Sequence, residues 1–215
     1  MMAQCLICTT QTASMSKGAQ GIEYYHCSMC DLIFKDPAAY QSLDEQKSRY
    51  DLHDNDEESA GYRAYFQRFL DFVLPHLDEG VKEALDFGCG RSRLLALMLH
   101  QAGIVCDAYD PIYHPNGYNK KKRYDLIVST EVFEHLHQPK ESFEMLVASL
   151  KEGGYLAIQT QFHPQNKTDF FSWYYPKDPT HIVFFSPQTF QHLAQMFHCR
   201  YVADNGKNMV LFKKA

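Results

Sequence analysis

Three groups of residues have the types and spacing to carry chemistry. The first is Cys5-x-x-Cys8 followed by Cys27-x-x-Cys30, with 18 residues between the two pairs. Two such pairs at this separation read as a four-thiolate zinc site, because each knuckle turns tightly enough to offer two soft sulfurs to one ion. Disulfides or unrelated buried thiols are the other readings of the same cysteines. Four protein ligands close the coordination sphere, so a zinc here would be structural and not catalytic. It would also supply folding energy that roughly 35 residues cannot draw from a core of their own.

The second group is the run Leu85-Asp86-Phe87-Gly88-Cys89-Gly90. Gly88 and Gly90 permit a sharp bend and close backbone approach to a ligand lying against the next helix N-terminus. Packing alone also puts glycines at such bends. A dinucleotide fingerprint has a small residue where Arg93 stands, which counts against a nicotinamide enzyme. Asp86 instead suits a ligand with a cationic amine, and Asp110 can accept hydrogen bonds from ribose hydroxyls.

The third group is Glu131, Glu134 and His135, at i, i+3 and i+4, with His181 further along the chain. On a helix the first three share one face. Two carboxylates and two imidazoles would hold a second divalent metal, which lowers the pKa of a substrate hydroxyl and orients it. Without metal, His181 or His135 is left as a general base, or simply as a packed histidine.

The elements needed to position these groups are legible as alternating patterns. Residues 1–36 form the cysteine unit, with Ile22 to His26 as a returning strand. Residues 37–80 form a polar, acidic connector and a helix from about Gly61 to Leu74, whose Tyr62, Tyr65, Phe66, Phe69, Leu70 and Val73 recur at helical spacing. His53, Asn55, Tyr62, Trp173, Tyr174 and Tyr175 are candidates for shaping an acceptor pocket. Residues 81–215 alternate strand and helix: strands over Ala84 to Phe87, Ile104 to Tyr109, Tyr124 to Ser129 and Tyr155 to Thr160, and helices over Arg91 to Gln101, Gln138 to Lys151 and Ser186 to about Phe197. A hairpin turned by Asn205-Gly206 closes the chain. This order predicts an α/β fold with a mostly parallel sheet and ligands at the strands' carboxyl ends.

Four segments in this order resemble class I S-adenosylmethionine-dependent methyltransferases: LDFGCG, the pair Tyr109-Asp110, YDLIVSTEVFEHL (Tyr124 to Leu136) and LKEGGYLAIQT (Leu150 to Thr160). The cysteine knuckles and WYYPKDPTHIVFF (Trp173 to Phe185) resemble a zinc-knuckle subgroup similar to ubiquinone-biosynthesis methyltransferases. The EVFEH and His181 set is similar to that of metal-dependent 2′-O-methyltransferases of small-RNA ends. The resemblance implies a Rossmann-like doubly wound sheet with a small N-terminal zinc ribbon. It implies that Asp86, Gly88, Cys89 and Gly90 flank the methionine moiety, that Asp110 binds ribose, and that Ser129, Thr130 and Glu131 line the donor. About a dozen residues separate Asp110 from Tyr124, so the family's third-strand region is reduced, and Pro111, Ile112 and Tyr113 stand in for the adenine wall.

Composition limits the function further. The 215 residues carry 21 basic against 26 acidic side chains, a net charge of −5, which disfavours a nucleic-acid partner held by charge. The basic cluster Lys120 to Arg123 reads as a solvated turn. Seven cysteines without a secretory leader imply a reducing, cytoplasmic setting, and no apolar run approaches a membrane span. The expectation is a methyltransferase acting on oxygen or carbon of a small-molecule acceptor. An RNA-modifying enzyme that docks RNA on the knuckle and a non-catalytic cofactor- or partner-binding module are the alternatives.

Overall fold

Strand β5 (Glu83–Phe87) lies one strand in from the edge of a six-stranded sheet, and its residues from Ala84 on are buried. The computed structural model describes residues 2–18, 21–42, 45 and 60–215. Four N-terminal strands come first: β1 (Met2–Gln4), β2 (Gln11–Lys17), β3 (Glu23–His26) and β4 (Ile33–Lys35). Helix α1 (Ala60–Val73) precedes β5. Then follow α2 (Leu94–Gln101), β6 (Val105–Tyr109), β7 (Tyr124–Thr130), α3 (Pro139–Ala148), β8 (Leu150–Gln159), α4 (Lys167–Ser172), β9 (Val183–Phe184), α5 (Pro187–Met196), β10 (Cys199–Asp204) and β11 (Met209–Lys214).

The larger sheet has the order β10-β11-β8-β7-β5-β6. Strands β8, β7, β5 and β6 run parallel, and β11 inserts antiparallel between β10 and β8. Registered rows show why it is sandwiched. Leu85, Ile127, Leu156 and Phe212 lie side by side and face α3 and α5, with Phe143, Leu146, Phe190 and Leu193. Val128, Ala157 and Leu211 face the opposite way, against Phe69, Val73, Leu95 and Leu99 of α1 and α2. Period-two alternation in the strands and 3.6-residue spacing in the helices thus meet on both faces.

Local chemistry sets the element ends. Ser186 caps α5 with a reciprocal capping box to Thr189, and Pro187 occupies the first turn. Asn205 Oδ1 accepts the N–H groups of Lys207, Asn208 and Met209 at 2.9–3.0 Å, while Gly206 turns at φ +69°. Two spans differ from the sequence reading. Helix α2 begins at Leu94 and not Arg91, because residues 91–93 complete the turn out of the glycine loop. Strand β8 begins at Leu150, ahead of Gly153-Gly154, so the α3 side of that boundary is shorter than the apolar pattern suggests.

Residues 111–123 hold turns only, and β6 is the edge of the sheet. Gly117 is pressed against β6: a Cβ there would lie 1.7 Å from the Ala108 carbonyl oxygen. The turn begins with a bridge between Asp110 and His114. Lys122 of the basic cluster pairs with Asp107 at 2.9 Å, so the cluster is a surface turn with one structural cation.

The cysteine unit is not an appendage on a tether. Its sheet has the order β1-β2-β3-β4-β9, so residues 183–184 of the core complete it. Cys5, Cys27, Cys30, Ile7 and Phe34 belong to the same buried cluster as Leu85, Ile127 and Leu156. Most of the acidic stretch, with His53 and Asn55, lies outside the described residues. No helix among the described residues is long and apolar enough to cross a membrane.

Candidate functional site

The bend after β5 is held by the end of β6. Gly88 and Cys89 both donate their N–H to the Tyr109 carbonyl, at 2.8 and 3.0 Å. Gly88 sits at φ +81° and Gly90 at φ +63°, left-handed geometry that glycine adopts without strain. A Cβ on Gly88 would also lie 2.3 Å from a Val132 methyl, whereas one on Gly90 would meet nothing within 4 Å. The bend is therefore close-packed on the β7 side and open over Gly90.

Asp86 lies under this bend with 2% exposure. Its Oδ1 is buried without a hydrogen-bond partner. Burial, with a smaller push from the Asp110 carboxylate, raises its pKa to about 7. An orphaned buried carboxyl oxygen fits a missing cationic partner, such as the α-ammonium of a methionine moiety. That pairing needs the carboxylate, which forms only as pH rises through about 7. We therefore expect donor binding about tenfold weaker at pH 6 than on its plateau above pH 8, with proton release near pH 7 visible by calorimetry in buffers of different ionisation enthalpy. A pH-independent affinity would contradict this role for Asp86.

Asp110 is more engaged than the sequence suggests. Its Oδ1 accepts the N–H of Ile112 and Tyr113 at 2.8 and 3.0 Å, and Oδ2 accepts the N–H of Gly90 at 3.2 Å. A carboxylate offers about four acceptor sites, so one remains for a ribose hydroxyl. Pro111 begins the turn beside it, and the Arg91 guanidinium lies 5.2 Å over the Tyr113 ring, tying the replacement turn to the glycine loop. The buried Ser129 hydroxyl donates to the Phe87 carbonyl at 3.0 Å, which latches β7 to β5 and leaves Thr130 as the half-buried residue at the strand end.

Glu131 is not on a helix. It sits at φ +53°, a left-handed conformation that is uncommon for a side chain this long, and a single 3-10 turn over Phe133–His135 follows. The shared-face argument for Glu131, Glu134 and His135 is therefore replaced by a different arrangement. Glu134, His135 and His181 gather with their ligand atoms within 4.8 Å of one another. Glu131 joins them through Tyr175, whose hydroxyl donates to Glu134 Oε1 at 2.6 Å and lies 3.2 Å from Glu131 Oε2. Tyr65 of α1 donates to Glu131 Oε1 at 2.9 Å.

Both histidines are oriented by backbone carbonyls. His135 Nδ1 donates to Thr180 O at 3.0 Å, and His181 Nδ1 donates to Tyr175 O at 2.9 Å. A carbonyl only accepts, so each Nδ1 carries a proton. Burial, with His135 adding to it, lowers His181 to about 3, which keeps the imidazole neutral. Burial, with Glu134 adding to it, raises Glu131 to about 8, and Glu134 is also pushed up by burial. Glu134 Oε2 is fully buried and unpartnered. Two imidazole nitrogens and a carboxylate oxygen, each fixed by an outer hydrogen bond, make a donor set suited to a first-row divalent cation.

Three contributors to this cluster escaped the sequence reading. Tyr65 and Tyr175 were legible as aromatics but not as carboxylate partners 66 and 41 positions away. Lys35 is the third. It is 1% exposed, donates Nζ to the Asp178 carbonyl at 3.0 Å, and has its pKa lowered to about 8 by burial. Its backbone N–H bonds Ile182 O, and Ile182 N–H bonds Glu134 O at 2.8 Å. The strand next to the cysteine knuckle thereby holds the loop that carries His181.

In the knuckle, Cys5 and Cys30 sulfurs lie 3.5 Å apart and those of Cys8 and Cys27 lie 3.4 Å apart. All four are free thiols within 4.8 Å of one another, an arrangement compatible with a single metal ion. Tetrahedral zinc with sulfur at about 2.3 Å would set these separations near 3.8 Å.

Comparison with known proteins follows the same lines. A family model described as a methyltransferase domain matches residues 55–203. No curated protein matches the chain. Among solved structures, an O-methyltransferase family protein from Burkholderia thailandensis superposes with TM-score 0.53 at 12% identity, over 79% of this chain and 63% of that one. The chain thus spans less than two thirds of that protein. A SAM-dependent methyltransferase from Archaeoglobus fulgidus gives TM-score 0.54 at 17% identity, over 77% of this chain and 99% of that one. With the matched region covering most of its length, the chain belongs to the methyltransferase-domain family.

Proposed function

We propose that this enzyme transfers the methyl group of S-adenosylmethionine to a hydroxyl, or to an activated carbon, of a small-molecule acceptor, with help from a divalent metal. One observation carries the reading. Val132 packs on Gly88 and is the chain neighbour of Glu131, so the glycine bend and the segment that carries Glu131, Glu134 and His135 meet at this one residue. A sulfonium methyl placed over the bend would face that segment.

Asp86, Gly88, Cys89 and Gly90 would hold the methionine end, Asp110 and Pro111 the ribose side, and Ser129 and Thr130 the end of β7. Glu134, His135 and His181 would hold the metal, which lowers the pKa of an acceptor hydroxyl when bound. Tyr175 and Tyr65 keep Glu131 and Glu134 fixed, so no reorganisation is needed when charge moves. Displacement at the methyl is in line, and orientation together with water exclusion supplies most of the acceleration such a site can give.

The knuckle cysteines Cys5, Cys8, Cys27 and Cys30 would carry a structural zinc, as in the zinc-knuckle subgroup. Net charge of −5 supports a small acceptor over RNA.

The experiment is methyl transfer after exhaustive treatment with a chelator of modest strength. Activity should fall at least about tenfold and return with added Mn²⁺ or Zn²⁺, while knuckle zinc stays bound. Full activity with the second metal absent would leave the donor reading intact and remove the metal.

A further inference from the structure

A cavity of about 550 Å³, within the usual range of small-ligand sites, is lined by residues other than Glu131, Glu134, His135 and His181. It lies between the segment after β8, the Trp173–Tyr174 corner, the start of α5 and the β10–β11 turn. Its connection to the reacting groups is short. Gln161, in its wall, has its backbone N–H 3.5 Å from the Tyr175 hydroxyl that bonds Glu134. Tyr174, also in the wall, lies within electrostatic reach of Glu131.

The lining has a definite chemistry. Trp173 stacks on Tyr175 with ring centroids 4.9 Å apart and planes at 28°, which fixes the indole plane. Tyr174 stands nearly at right angles to it, at 74°, and is 63% exposed, far more than most large rings of this chain. Together they form an aromatic corner whose Tyr174 side is exposed, the setting in which a flat ring gains stacking and edge contacts. Gln161 and Gln165 add amide groups.

The β10–β11 turn places Lys207 in the wall. Three N–H groups on Asn205 Oδ1 hold that turn, so the backbone of Lys207 is fixed rather than free. No carboxylate among the described residues forms an ion pair with its ammonium. In a chain of net charge −5, an exposed lysine in a cavity wall, without an acidic partner among the described residues, favours an anionic ligand.

We propose that this cavity is the acceptor pocket and that it takes a planar aromatic hydroxyl compound bearing an acidic group, its ring at the Trp173–Tyr174 corner, its acid at Lys207 and its hydroxyl toward Glu131 and Glu134. The proposal rests on the methyltransferase reading for the direction of the hydroxyl, and not for the binding itself.

Trp173 is the sole tryptophan of the chain, so its emission reports the pocket directly. The probes are 4-hydroxyphenylacetate, tyrosol and tyramine, which share one hydroxylated ring and differ in charge at the other end. Saturable quenching by 4-hydroxyphenylacetate at a concentration at least tenfold below that for tyramine, with tyrosol between, is the expected result. Lys207→Glu lies on an exposed turn and should reverse the order. Equal quenching by all three, none by any, or an order that Lys207→Glu leaves unchanged would overturn the proposal. Calorimetry with S-adenosylmethionine on the same samples separates the two readings: donor binding without probe discrimination sinks only the pocket, and probe discrimination without donor binding sinks only the methyl transfer.

Discussion

Replacing Glu134 by glutamine is expected to lower kcat/KM by about 10²–10⁴, the range for losing a metal ligand or a proton-transfer partner, while the protein stays at least as stable as the parent. The two effects separate because Glu134 is costly to bury. It has no exposed surface, one oxygen lacks a partner, and burial drives its pKa upward. An amide of the same shape keeps the hydrogen bond from Tyr175 without a carboxylate to desolvate. Glu134→Ala should instead destabilise as well, by about 1–3 kcal/mol, because it opens a cavity at a fully buried site and removes the 2.6 Å hydrogen bond from Tyr175, leaving that hydroxyl only its longer contacts. Affinity for S-adenosylmethionine should stay within about twofold in Glu134→Gln, since Glu134 hydrogen-bonds Tyr175 and not the glycine bend proposed to hold the donor. Unchanged turnover in Glu134→Gln would show that the cluster is only a packing device.

Loss of the zinc proposed for the knuckle is expected to damage the core as well as the ribbon. Structural zinc contributes on the order of 10 kcal/mol to small zinc-dependent folds, and here the ribbon shares a sheet with β9 and a buried cluster with β5, β7 and β8. Cys27→Ser should lower Tm by at least about 10 °C, read by calorimetry alongside zinc content. Methyl transfer should fall too, although Cys27 touches neither donor nor acceptor. The path is mechanical: Lys35 N–H holds Ile182, Ile182 N–H holds Glu134, and Lys35 Nζ holds Asp178 ahead of His181. Purified protein without zinc, or Cys27→Ser with the parent Tm, would contradict this account.

The sequence carried the sheet well because its central strands are nearly continuous buried runs bounded by turn residues. Tyr124 to Ser129 is apolar on both faces and became a buried central strand, and Asn205-Gly206 turned the closing hairpin. The short span after Asp110 announced the missing third strand. What stayed hidden depends on distant contacts. The EVFEH spacing suggested a helix, but Glu131 takes a left-handed conformation at the strand end, where its N–H is fixed by Gln159 across the sheet, and tertiary pairing overrides helical periodicity there. Lys35 reads as a surface lysine in a short strand. Only the loop that folds over it, 143 residues later, makes it a buried strut. Tyr175 likewise looks like one ring of an aromatic run until its hydroxyl meets two carboxylates.

The central claim is that a sulfonium donor occupies the bend at Gly88 and Gly90. Isothermal calorimetry with S-adenosylmethionine on the parent and on Gly88→Ala tests it most directly. The parent should bind one equivalent, whereas a methyl at φ +81° and 2.3 Å from Val132 should abolish measurable binding while leaving the zinc content intact. No heat with the parent, or equal affinity in the two proteins, would contradict the account.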